Sequence, residues 1–146
     1  MKVKLLLIAL LLVASNGWAE PIGIGCIHQD NPSKTYNWEF VIDGEKKNAQ
    51  VIYGKNEDLY HLIYNDYPDS ISIILNHSLI FPYAKTRLRW LLDKDSLTAI
   101  AYIDNGNGIY QRGEGEFFCF QDDKVLSKAI DSFEKEKEKK KKRLIQ

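Results

Sequence analysis

The sequence predicts an all-β protein: a single antiparallel meander forming a small closed or partly open β-barrel, with one C-terminal helix and a basic tail. Three observations carry that prediction. Short segments with alternating apolar residues follow one another at turn-length spacing, with no helical periodicity before Gln121. The stretch Arg87–Cys119 reads as a hairpin running into a further strand, and its apolar residues all fall on one face. The chain's two cysteines, Cys26 and Cys119, stand near the start and the end of the strand-rich region, where a disulfide would tie the first strand to the last.

The start reads as a targeting segment. Lys2 and Lys4 precede an apolar run from Leu5 to Ala14 that is too short to cross a bilayer, and Gly17-Trp18-Ala19 supplies small residues at −3 and −1, so residues 1–19 are expected to be a signal peptide cleaved after Ala19. Gly23-Ile24-Gly25-Cys26 loosely matches a lipobox. Gly23 stands where a bulky aliphatic residue is required, however, and lipidation would leave Cys119 unpaired in an oxidising compartment. The expected product is a periplasmic or secreted protein with one disulfide and no transmembrane span. The cysteines lack the close C-x-x-C spacing of redox sites. Bridging so long a loop contributes about 4–5 kcal/mol in the loop-entropy estimate.

Within residues 20–121, the expected β domain, a short strand at Ile24–His28 leads to an aromatic stripe, Tyr36, Trp38, Phe40 and Ile42. A charged turn at Asp43–Asn48 returns as Ala49–Tyr53, with Phe40 opposite Val51 and Trp38 opposite Tyr53. Tyr60, Leu62 and Tyr64 share the face of Ile71, Ile73 and Leu75; pairing Tyr64 with Ile71 keeps the register consistent and puts His61 opposite Ile74. Leu79–Tyr83 is short and contains Pro82, which confines it to an edge or a bulge. In the Arg87–Cys119 stretch, a two-residue loop at Lys94-Asp95 sets Leu92 against Leu97, Trp90 against Ala99 and Leu88 against Ala101. Beyond Gln121 the periodicity becomes helical. Val125, Leu126, Ala129, Ile130 and Phe133 make an apolar face over residues 122–133 that should dock on the barrel or cover its open end. Residues 134–146 lack that face and are expected to fray into disorder.

Net charge hides an asymmetry. The chain has 20 basic and 20 acidic residues, so loss of Lys2 and Lys4 leaves a net charge of −2. Residues 134–146 carry seven basic and three acidic side chains, net +4, which leaves −6 on residues 20–133.

Each candidate chemistry has a plainer competitor. Asp104-Asn105-Gly106-Asn107-Gly108 resembles part of a calcium loop but lacks the alternating acidic spacing and a following bidentate Glu, so a hairpin loop with positive-φ positions is preferred. His28, His61 and His77 have no metal-ligand spacing. Glu114 and Glu116 stand two apart and would share a strand face, but a solvated edge explains them better than acid–base work. No serine sits in a nucleophile-elbow context and no glycine-rich phosphate loop opens a helix. No cofactor is called for, and no catalytic, cofactor or metal residue is assigned.

The candidate binding surface has two parts. Arg87 and Arg89 share a face with Ile100 and Tyr102, and Arg87 opposite Tyr102 would form a cation–π pair. Lys139, Lys140, Lys141, Lys142 and Arg143 could contact an anionic surface, or fold back on the acidic body. Export disfavours nucleic acid as a partner. The general build, a small exported antiparallel barrel with one disulfide, is similar to bacterial periplasmic inhibitors of lysozyme. That resemblance covers architecture alone, with no functional motif matched residue by residue. The reading is a non-enzymatic binding or inhibitor-type protein of the bacterial envelope, whose acidic body suits a cationic partner. A barrel carrying an apolar ligand is the alternative, and a hydrolase the third.

Overall fold

Among the described residues, alternation of apolar and polar residues sets eight strands in a row: β1 (Ile22–His28), β2 (Trp38–Asp43), β3 (Asn48–Tyr53), β4 (Asp58–Asp66), β5 (Ser70–Asn76), β6 (Arg87–Asp93), β7 (Thr98–Asp104) and β8 (Tyr110–Gln121). A computed structural model of the chain describes residues 20–30, 35–76, 79 and 85–145. The expected signal segment, His77 and the expected edge segment from residue 80 to 83 lie outside the described residues.

Each strand pairs antiparallel with the next, and β1 also pairs with β8, so the meander closes into a barrel. Cys26 lies directly opposite Cys119 across that closing seam, and the two form a disulfide that spans 93 residues of sequence. The link expected between first and last strands is therefore present.

Inward residues of every strand fill the barrel. Ile24, Phe40, Ile42, Val51, Ile71, Ile73, Leu75, Trp90 and Leu92 are all buried. Trp90 takes the middle, its ring 4.8 Å from that of Trp38 and 5.0 Å from that of Phe40, both edge-on.

Face assignments from the sequence hold, whereas two registers do not. Phe40 pairs with Val51 as expected, and Trp38 stacks on Tyr53 at 6.3 Å. In the β6–β7 hairpin, Leu92 pairs with Ala99, Trp90 with Ala101 and Leu88 with Ile103, two residues beyond the expected partners. The loop is four residues long rather than two. Leu97 takes a left-handed conformation (φ 55°) and its N–H donates to the Asp93 carbonyl at 3.0 Å. The Asp93 carboxylate accepts the N–H groups of Asp95 and Ser96, both at 2.9 Å. These bonds hold Asp93 below the ordinary carboxylate range. Lys47 and Glu57 occupy the matching left-handed positions in the β2–β3 and β3–β4 turns. In β4–β5, Tyr64 pairs with Ile73 and Asp66 with Ile71, so Ile74 faces Ile63 and not His61. A slip of two preserves the buried face, and hydrophobic pattern alone does not detect it.

The helix, α1 (Asp123–Ile145), does not stop at Phe133 but runs on for 23 residues in all. Lys and Glu are good helix formers, Glu136 stands four residues before Lys140 and Glu138 four before Lys142, and the final cations complement the negative helix end.

α1 docks along the outer wall of the barrel. Val125 and Ala129 bury against Val41 and Ile52, with Tyr36, Leu59 and Leu126 packed around them. Bare backbone on β1 makes the approach close. A Cβ at Gly23 would lie 2.5 Å from the Leu126 nitrogen, and one at Gly25 would lie 2.4 Å from the Tyr36 ring. Of the glycines that mimic a lipobox, Gly23 thus seats the helix and Gly25 the Tyr36 ring, and Cys26 beside them is bonded to Cys119.

Candidate interaction surfaces

α1 packs on the outside of β1 to β4, and among the described residues it makes no comparable contact with β5 to β8. The two parts of the expected binding surface therefore occupy separate regions. Arg89, not Arg87, stands opposite Tyr102; Arg87 is exposed and pairs in register with Asp104. The Arg89 guanidinium lies 5.7 Å from the Tyr102 ring centre and 5.8 Å from that of Tyr110, and its Nε donates to Ser72 Oγ at 2.8 Å. Ser72 points outward yet is only 1 % exposed, and its hydroxyl accepts the Arg89 bond. The result is a half-buried cation held against two half-buried tyrosines, with Phe118 exposed further along the same wall.

Sequence reasoning missed Tyr110. The β7–β8 register jumps between Ile100 and Tyr102, where the three β8 residues 113–115 oppose the single β7 residue Ala101 and Gly115 has φ 78°. Glu116 accepts bonds from Arg112 (2.9 Å) and the Gln29 side chain (3.1 Å), while the side chain of Glu114 lies outside the described residues.

The calcium-like loop is closed by its own backbone. Asp104, buried, accepts the N–H groups of Gly106 (2.9 Å) and Gly108 (3.0 Å), and both glycines have positive φ. Among the described residues no cluster of three His, Cys, Asp or Glu comes together to hold a metal. His61 is exposed beside Gln50, and the His28 ring packs edge-on against Phe117 at 5.2 Å.

Polar contacts pin the first half of α1. Asp122 caps it by accepting the Lys124 N–H (2.9 Å), and the Tyr36 hydroxyl donates to the same carboxylate (3.0 Å). The Lys124 and Tyr36 bonds hold Asp122 below its ordinary pKa, while burial and the Asp122 bond raise that of Tyr36. Lys128 bridges Glu39 (3.0 Å) and Glu57 (3.7 Å), and the Glu39 bond raises its pKa. Beside this contact a shallow groove of about 350 Å³ runs between Val41, Leu59, Leu126, Ile130 and Phe133.

The meander gathers its turns at two ends. Turns β2–β3, β4–β5 and β6–β7 share one end, and there Asp66, Asp69, Asp93 and Asp95 are exposed around Lys94. Lys94 joins the last two turns through its N–H to the Asp69 carbonyl (3.0 Å) and its ammonium to Asp66 (2.7 Å).

Comparison of this chain with protein-family models, with curated proteins and with solved structures gave no match. Among the described residues no helix is long and apolar enough to cross a membrane.

Proposed function

We propose that this chain is an exported, non-enzymatic binding protein of inhibitor type in the bacterial envelope, periplasmic or secreted, acting through the outside of its barrel. One observation carries the reading: Arg89 is fixed between Tyr102 and Tyr110 on the wall that α1 leaves bare. Arg and Tyr dominate binding hot spots because they bring large contact area and directional bonds. An arginine already held in place loses little side-chain freedom on binding. The −6 charge of residues 20–133, with the exposed acids of the β4–β5 and β6–β7 turns, favours a cationic protein partner and speeds its encounter.

The carrier alternative needs space inside the barrel. Trp90, Trp38 and Phe40 fill that layer edge to face, which weighs against it.

The test pairs a pull-down from envelope extract with native mass spectrometry of the purified protein. A cationic protein retained by the native chain and lost with Arg89→Ala supports the proposal. A small molecule that co-purifies without any protein partner overturns it in favour of the carrier.

A further inference from the structure

α1 runs beside the barrel as far as Lys139 at the β3–β4 turn, and its last turns extend beyond it. The helix begins next to Gly23 at the start of β1, where the Asp122 N–H donates to the Gly23 carbonyl (2.9 Å). It then passes Glu39 and Glu57 at Lys128, and by Lys135 and Lys139 it has reached the β3–β4 turn at Lys55–Asp58. That turn belongs to the end of the barrel opposite Asp66, Asp69, Asp93 and Asp95. A 23-residue helix is about 34 Å long, against about 23 Å for a seven-residue strand, so roughly 10 Å projects past the wall.

The projecting turns hold Lys139, Lys140, Lys141, Lys142 and Arg143 in succession, with Leu144 next, 86 % exposed. Lys85 and Arg87 are exposed at the same end of the barrel. A straight helix carries these cations away from the acidic turns, so they do not fold back to neutralise them.

We infer that the projecting end of α1 docks on an anionic lipid surface and stands the barrel on it with the acidic turns directed away. Five adjacent cations match the headgroup phosphates, and an apolar side chain at the tip suits the boundary between headgroups and acyl chains. This rests on the course of α1 and is independent of the binding role of Arg89.

The experiment uses the mature chain and vesicles of phosphatidylcholine with or without 30 % phosphatidylglycerol, in a co-sedimentation series at rising salt. Each engaged lysine is worth about fivefold in partitioning, so the combined Lys139→Gln, Lys140→Gln, Lys141→Gln, Lys142→Gln and Arg143→Gln variant should lose at least about a hundredfold on anionic vesicles. Glutamine keeps the helix, and the wild-type signal should fall as salt shortens the Debye length below about 10 Å. Equal pelleting of variant and wild type, or equal binding to neutral vesicles, overturns the inference. So does binding to soluble polyphosphate without binding to vesicles. Hydrogen exchange on the vesicles reads the orientation: amides of 139–145 should slow while those of 94–97 do not change, and protection of the β6–β7 turn contradicts the proposed stance.

Discussion

The two walls of this barrel solve the same problem in opposite ways. On β1 to β4 the outward positions that meet α1 include bare and apolar ones: Gly23 and Gly25 admit backbone and a tyrosine ring, and Val41, Ile52 and Leu59 meet Val125 and Ala129 of α1. On β5 to β8 no helix packs among the described residues, and a long side chain of the sheet itself, Arg89, bonds Ser72 and lies near two tyrosines. The covered wall is a second small core outside the barrel. The bare wall shields itself while leaving a cation and aromatic rings at the surface. If the proposed function holds, the difference separates stability from recognition: substitutions on the first wall should cost folding free energy, and those on the second should cost binding.

Both walls depend on barrel closure, and the largest effect is expected there. Cys26→Ser should lower stability by about 4–5 kcal/mol on the loop-entropy estimate, and Cys119→Ser by a similar amount. Chemical denaturation midpoints check this; two free thiols in exported native protein would contradict the seam.

Next in size is Gly23→Ala. The new Cβ would meet backbone atoms of Leu126 and Asp122, neither of which can rotate away. The expected loss is about 1–3 kcal/mol, with faster hydrogen exchange across 124–130 and none of the change at β6 or β7. Uniform exchange acceleration in both walls would break the distinction between them.

A smaller effect concerns pH. Asp122 is depressed, so its contribution to docking α1 is present above the ordinary aspartate pKa and lost as pH falls through its folded value. Tyr36 and Lys128 are raised, so their contributions are present below their ordinary values and lost as pH climbs through the folded ones. Docking of α1 should therefore weaken at both extremes, from about pH 4 downward and from about pH 10 upward. Tyr36→Phe should remove the tyrosine part of the alkaline limb and shrink the acid limb to the part that the Lys124 N–H bond sustains; exchange at 124–129 measured across pH decides it.

Strand existence, facing and the closing disulfide were legible because alternation and cysteine placement are local signals. Register was legible only to within two residues. Nothing in Lys94–Leu97 announces that a leucine adopts φ 55°, and a two-residue slip leaves the buried face unchanged. That slip moved the cation–π partner from Arg89 to Arg87, and the Gly115 bulge hid Tyr110. Gly23 and Gly25 were visible, but their purpose lies in Leu126 and Tyr36, distant in sequence. The continuation of α1 was missed because the apolar face ends at Phe133, although Glu136–Lys140 and Glu138–Lys142 were there to be paired.

The most direct measurement compares the walls on one partner. Affinity for the cationic protein captured from envelope extract should be determined for the native chain, for Arg89→Ala on the bare wall and for Ile130→Ser on the helix side. Arg89→Ala should weaken binding at least about thirtyfold, the scale of a hot-spot arginine, while its denaturation midpoint moves by no more than about 1 kcal/mol; Ile130→Ser should bind as the native chain does. Unchanged affinity in Arg89→Ala, or a loss confined to Ile130→Ser, would place recognition on the wrong wall and contradict the assignment.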